Sequence, residues 1–224
     1  MKKLLLVTTL VTSIASAPAL AKTEGNYVGI DVLRASSQVK SHSNRIGEED
    51  SPYYSHKDKD SSVGFGLNYK YAFNMNNFFV APGAFYEKIG TEVKSGYSTS
   101  AFDPYTQSVK FNDRIGAKLD LGYDITDYFA AYVPVGVSSV GYEMKTRDVD
   151  GSDFVNTKKT GRKFGYFYGV GFSFYPVKNF AINLEYNRMS KMKLSSANSA
   201  TLGEGTIKAD ANLDVVKLGF SYNF

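Results

Sequence analysis

Strict alternation of apolar and polar residues recurs along this chain. Val63, Phe65, Leu67, Tyr69, Tyr71 and Phe73 alternate with Gly64, Gly66, Asn68, Lys70 and Ala72. Ile115, Ala117, Leu119, Leu121 and Tyr123 alternate with Arg114, Gly116, Lys118, Asp120 and Gly122. The same pattern returns in Phe164–Phe174, in Ile182–Tyr186 and in the final run of Val216, Leu218, Phe220, Tyr222 and Phe224. A period of two sends successive side chains to opposite faces of a strand, so each run predicts a strand with one apolar and one polar face. Phe78–Tyr86 and Tyr128–Val140 are apolar at both phases, which predicts strands but leaves their facing open. Tyr27–Arg34 supplies a first strand, making eight in all.

Three short turns punctuate these runs, each an aromatic, four turn-type residues and another aromatic: Phe73–Phe78, Tyr123–Tyr128 and Tyr175–Phe180. They recur at intervals of 50 and 52 residues and divide the chain into four units of two strands each. Asn, Asp and Pro supply the geometry of tight reversals there. On the other side lie four long polar stretches, Ser36–Asp60, Lys88–Val109, Glu143–Thr160 and Ser190–Asp210, which predict long loops.

The N-terminus reads as an export signal. Lys2 and Lys3 precede an uncharged apolar run from Leu4 to Ser16, and Ala19 and Ala21 form a small-residue cleavage site. This predicts a cleaved segment at 1–21 and a mature domain at 22–224. Beyond it, no apolar run is long enough for a membrane-spanning helix. The 224 residues include 16 Phe, 17 Tyr and 20 Gly but no Cys, which excludes a disulfide framework and a thiolate metal site. A formal charge of +4 gives no whole-molecule case for nucleic-acid binding. No cofactor is expected.

Two architectures fit the alternation. A soluble sandwich or lipocalin-like barrel would turn its apolar face inward. A membrane barrel would turn it outward. The polar face mixes Gly, Ser and Asn with Lys70, Arg114, Lys118, Asp120, Glu185 and Lys217, which suits the narrow interior of an eight-stranded barrel. Aromatics cluster at the strand ends, as in the girdles of membrane barrels, and short turns oppose long loops. With the export signal, these features predict an all-β, eight-stranded antiparallel up-and-down transmembrane β-barrel.

At this point the sequence resembles the small eight-stranded outer-membrane proteins of Gram-negative bacteria, of the OmpA-transmembrane-domain, OmpX and Opa-like kind, and more loosely small rickettsial surface adhesins. The C-terminal Phe220, Tyr222 and Phe224 are similar to the signal read in such proteins by the barrel-assembly machinery. The resemblance implies short periplasmic turns, extracellular loops and contact with outer-membrane lipid and lipopolysaccharide.

Candidate functional residues follow from the faces and loops. Asp31, Lys70, Glu87, Arg114, Lys118, Asp120, Glu185 and Lys217 are expected inside, as an electrostatic plug or a narrow ion path. Lys158, Lys159, Arg162, Lys163, Arg188, Lys191 and Lys193 form a basic outer rim suited to anionic groups. Loop aromatics such as Tyr53, Tyr54, Tyr97, Phe102 and Tyr105 suit adaptable binding of a host protein or glycan. The expectation is a non-enzymatic surface protein that supports the envelope and presents loops for adhesion or immune contact. A low-conductance channel or purely structural barrel is the alternative. A rim enzyme is third, resting on His42 and His56 near Ser41, Ser43, Ser55, Asp58 and Asp60. No Gly-x-Ser-x-Gly elbow is present. Gly169-Val170-Gly171 lies within a strand pattern, and Asp148–Asp153 has partial calcium-loop spacing but lacks the distal Glu.

Overall fold

The structure, a computed structural model, describes residues 24–43, 55–98, 104–150, 153–195 and 207–224. The segment expected to be an export signal and the tips of all four predicted loops lie outside the described residues. The described residues form nine strands: β1 (Gly25–Ser43), β2 (Ser55–Met75), β3 (Phe78–Ser98), β4 (Pro104–Thr126), β5 (Phe129–Asp150), β6 (Asp153–Val177), β7 (Phe180–Met189), β8 (Met192–Ser195) and β9 (Ile207–Asn223). All pairings are antiparallel between neighbours, and β1 pairs with β9 to close the sheet. β7 and β8 both pair with β9 and are two pieces of one stave. Along them Arg188 lies opposite Asp214 and Met192 opposite Ala211, so one extra residue bulges out around Ser190–Lys191. The barrel therefore has eight staves.

The turn end follows the sequence. Met75 pairs with Phe78, Thr126 with Phe129 and Val177 with Phe180, leaving two-residue connections. Asn76 and Asn179 sit at φ 62° and 73°, a region Asn tolerates through local hydrogen bonding. The Thr126 hydroxyl accepts from the backbone N–H of Tyr128 and Phe129 at 3.2 and 3.1 Å.

The opposite end differs from expectation. The first three polar stretches are largely strand where described: β1–β2 pairing runs to His42 opposite Ser55, β3–β4 to Ser98 opposite Pro104, and β5–β6 to Asp150 opposite Asp153. The reason is that the polarity of the two faces reverses while the side chains keep their facing. Along β1, Val28, Ile30 and Val32 point outward and are exposed, while Asp31 points inward. Further up, Arg34, Gln38 and Lys40 take the outward phase, and Leu33, Ala35 and Val39 are buried inside. β9 does the same: Val216, Leu218, Phe220 and Tyr222 face outward below, and Ala211, Leu213 and Val215 face inward above. Near the turns the surround is apolar and the interior polar; toward the loop end the surround is water and the interior apolar. The apolar outward runs on β4 (Ile115–Ile125) and β5 (Phe129–Val137) have the length a tilted strand needs to cross a bilayer.

The strands whose facing was open are settled. In β3, Phe79, Ala81 and Phe85 point inward and Phe78 and Tyr86 outward; in β5, Ala130, Tyr132 and Val140 point inward and Phe129, Val133 and Val137 outward. Interior rings lie over glycines of adjoining strands: Phe79 on Gly122, Phe85 on Gly116, Tyr132 on Gly171 and Phe167 on Gly136. A side chain at those glycines would occupy the space of the ring.

Above the belt the barrel changes form. β2–β3 pairing ends at Phe65 opposite Lys88 and β6–β7 pairing at Phe167 opposite Met189. Above these points one sheet comprises β8, β9, β1 and β2, and the other β3, β4, β5 and β6. The two face each other across a dry core that includes Leu33, Leu213 and Leu194 from one side and Ile89, Phe111 and Met144 from the other. Bulges at Lys88–Thr91 in β3 and around Asn112 in β4 lie at this transition.

Candidate functional site

The eight predicted interior charges all lie inside the barrel and are buried. They come from strands whose outward positions are apolar, so alternation places them inward together. Seven form one continuous chain of ion pairs. Lys70 Nζ lies 3.2 Å from Asp120 Oδ2, and Lys118 Nζ 3.1 Å from Asp120 Oδ1 and 2.8 Å from Glu185 Oε2. Lys217 Nζ lies 2.6 Å from Glu185 Oε1 and 3.2 Å from Glu87 Oε1. Arg114 closes the chain on Glu87 through Nε and Nη2 at 2.8 and 3.0 Å. The eighth, Asp31, instead accepts a 2.8 Å hydrogen bond from Asn68 Nδ2. With four cations and four carboxylates, the group is neutral.

Sequence reasoning missed the rings and amides that complete this layer. Arg114 packs against Phe85 and Phe167, whose rings lie edge-to-face with each other and 4.8 and 5.1 Å from its guanidinium carbon. Tyr132 donates to Glu185 Oε2 at 3.0 Å, and Asn187 donates to Glu185 Oε1 at 2.7 Å. These residues sit on strands without clean alternation, or between more conspicuous charges, so only cross-strand register identifies them. The free space among Asp31, Lys70, Lys118, Glu185 and Lys217 is about 10 Å³, room for one water at most. Apolar clusters close the layer on both sides, around Tyr27, Phe79 and Tyr175 toward the turns and around Leu33, Phe111 and Leu213 toward the loops.

The basic rim is not one uniform cationic face. Lys158 and Arg162 take the outward phase of β6, whereas Lys159 and Lys163 lie opposite the inward-facing Met144 and Val140. Four of the seven cations hold acids: Lys158–Glu143 at 2.9 Å, Arg162–Asp113 at 2.7 Å, Arg188–Asp214 at 3.9 Å and Lys191–Asp210 at 3.0 Å. Acids on neighbouring strands offset much of the charge seen in the linear run. Hydrogen bonds from Lys158 and then Lys145 hold the Glu143 carboxyl below the usual range. The same contact pushes the Lys145 ammonium up.

The remaining candidates are spread along the loop end. His42 and His56 are on paired strands, with His42 opposite Ser55 and Ser41 opposite His56; their side chains lie outside the described residues. Tyr97 stands opposite Tyr105 in the β3–β4 ladder, also without described side chains. Tyr53, Tyr54 and Phe102 are outside the described residues. Phe220 and Tyr222 are exposed on the outward face of β9, and the Phe224 N–H donates to Asn26 C=O at 3.1 Å, tying the last residue to β1.

A closed antiparallel barrel with an apolar belt and a charged, packed interior defines an outer-membrane barrel. Residues 7–224 match the model of the outer membrane protein beta-barrel domain family, and the chain belongs to that family. The family places it in the outer membrane of a Gram-negative bacterium. Among solved structures, the outer membrane protein OprG from Pseudomonas aeruginosa matches with a TM-score of 0.59 and 16% identity over 91% of this chain and 98% of that one. The outer membrane protease OmpT from Escherichia coli matches at 0.51 and 13%, over 92% and 99%. Ail, the attachment invasion locus protein of Yersinia pestis, matches at 0.43 and 19%, over 90% and 100%. These likenesses concern the fold. Comparison with curated proteins gives no match.

Proposed function

We propose that this barrel is a non-enzymatic surface protein whose loop end faces the cell exterior and binds partners there, while the barrel itself supports the envelope. The observation that carries this reading is the two-sheet extension. On β5 the outward apolar run ends at Val137, yet the strand continues to Asp150 around a dry core. Ordered strands with a polar exterior form a stiff platform, and binding residues concentrate on loops held by such scaffolds. Host protein or glycan is the proposed partner at the loop tips. Lipopolysaccharide is the proposed neighbour of the rim, and the assembly machinery the proposed reader of Phe220, Tyr222 and Phe224. The absence of enzymatic activity is part of the proposal. In its favour, the rim acids Asp113, Glu143, Asp210 and Asp214 each face a cation.

The second reading is a narrow ion path, favoured by the charge chain across the interior. Conductance of the purified protein in a planar bilayer separates the two. The surface-protein reading expects no discrete openings at neutral pH; a regular open level in the unmodified protein would favour the channel.

A further inference from the structure

Glu185, Asn187 and Lys217 form one inward patch across β7 and β9, where Glu185 lies opposite Lys217 and Asn187 opposite Val215. Lys217 Nζ lies 2.6 Å from Glu185 Oε1, and Asn187 Nδ2 donates to the same oxygen at 2.7 Å. Two donors that share one oxygen stand roughly 4–5 Å apart. An amine and a carboxamide therefore lie side by side with a carboxylate oxygen between them. Asn187 is fully buried, and Glu185 and Lys217 are each 4% exposed. Phe85 covers the amine, its ring centroid 5.4 Å from Lys217 Nζ. Lys118 and Tyr132 hold the other carboxylate oxygen, Glu185 Oε2, at 2.8 and 3.0 Å. Asn187 Oδ1 has no hydrogen-bond partner, so the layer that buries this carbonyl does not hold it.

We propose that Lys217 and Asn187 become joined by a side-chain amide bond, formed by the folded barrel itself with Glu185 as the proton-transfer group. The reaction needs a neutral amine. The seven-group ion chain has four cations and three carboxylates, and the balancing carboxylate, Asp31, holds Asn68 rather than a cation. Asp31 and Lys217 line the same space of about 10 Å³, room for one water to carry a proton between them. Moving that proton from Lys217 to Asp31 leaves equal numbers of cations and carboxylates, so the dry layer stays neutral. Lys217 Nζ then attacks Asn187 Cγ and a C–N bond forms. Glu185 Oε1, in contact with both nitrogens, takes a proton from Nζ and delivers it to Nδ2. The Cγ–Nδ2 bond breaks and ammonia leaves. Of the ammonium protons on Lys217, one ends on Asp31, one in the ammonia and one on the new amide. No oxidant or added group is consumed. Burial and register hold the reacting atoms together, which removes the entropy cost of an encounter between separate molecules. The product ties β7 to β9 beside the β1–β9 closure and clamps the base of the 190–210 stretch. The sequence has no Cys, so a disulfide cannot supply such a link.

The test is peptide mapping by mass spectrometry of the full barrel, extracted folded from the outer membrane, beside the same chain kept unfolded in urea from inclusion bodies. Trypsin cuts after Lys178, Arg188 and Lys208. The folded protein gives 179–188 joined to 209–224, with Lys217 uncut and the pair lighter than its sum by one ammonia, about 17 Da. The unfolded chain gives separate peptides. Asn187→Ala and Lys217→Arg, made singly, each abolish the joined species. Glu185→Gln keeps both reacting groups and lowers the joined fraction by about tenfold or more. The proposal is overturned if the folded barrel gives only the separate peptides 179–188, 209–217 and 218–224, or if the unfolded chain is joined as well. It is likewise overturned if Lys217 is joined to Glu185 with loss of water, or if folded Glu185→Gln is joined to the same extent. Should Glu185→Gln fail to fold, the map of the unsubstituted barrel against the unfolded chain decides.

Discussion

Arg114 lies side-on against Glu87, its Nε 2.8 Å from Oε2 and its Nη2 3.0 Å from Oε1, with the edge-to-face pair of Phe85 and Phe167 packed against the guanidinium. Both residues are fully buried. Two parallel charge-assisted bonds fix the orientation as well as the contact. Lys217 shares the same carboxylate, so this pair ends the ion chain beneath the apolar core.

Removing one member leaves a buried charge without its partner. Glu87→Leu should cost about 3–5 kcal/mol, read as a loss of unfolding free energy in urea titration of the lipid-reconstituted barrel. Adding Arg114→Met should recover most of that loss, since Lys217 retains Glu185. A double variant as unstable as the single would show that the pair does not act as a unit.

The reversal of polarity along β1 gives a position-dependent expectation. Ile30→Arg puts a charge on the lipid-facing belt and should cost about 2–4 kcal/mol. Gln38→Arg, on the same face above the belt, should change stability by less than about 0.5 kcal/mol. Leu33→Ala, directed into the upper core, should cost about 2–5 kcal/mol. Equal penalties for Ile30→Arg and Gln38→Arg would contradict the assigned upper limit of the belt.

Most of the lower part of this architecture was legible because its strands keep one polar and one apolar phase; Phe78–Tyr86 and Tyr128–Val140, apolar at both, were not. Val216 to Phe224 reads outward without a break. The upper part was not, because adjacent residues change the rule: Val215 is apolar and inward, Val216 apolar and outward. A polar outward face joined to an apolar inward one has an alternation of its own, but its phase is opposite to that of the belt. The two cancel when scanned together, and Ser36–Asp60 or Glu143–Thr160 then resemble loop. The bulges around Asn112 and Ser190–Lys191 shift the phase again. Charges at single-phase positions such as Lys118 and Glu185 could be placed inside, but their pairing order depends on register. The acids that offset the rim lie on other strands, beyond the reach of a linear run of lysines.

Glu143 supplies a pH-dependent contact outside the belt. Its folded carboxyl titrates below the usual range because Lys158 and Lys145 hydrogen-bond to the charged form. Its stabilising contribution is therefore present above the ordinary Glu value, about 4.3, and lost as pH falls through the depressed folded value. A carbon-detected NMR titration should give a Glu143 midpoint below about 4.3, and Lys158→Ala should raise it. An ordinary midpoint in the unmodified protein would remove the pair from the account.

The last strand makes a prediction about assembly. Phe224 offers an exposed ring on the outward face, worth about 2 kcal/mol when taken from water into an apolar surround. Phe224→Ser should lower the yield of folded barrel in cells, scored by the mobility difference between heated and unheated samples. Undiminished yield would count against Phe224 as part of an assembly signal.

Surface display tests most directly whether the upper extension is a binding surface. The intact chain and a variant with 36–60, 90–109, 143–160 and 190–210 replaced by tight turns would be produced on a non-adherent Gram-negative host. Attachment to animal cells and retention of serum proteins would then be scored. Only the intact chain is expected to confer attachment. Absence of attachment by both, with both folded and exposed, would contradict it.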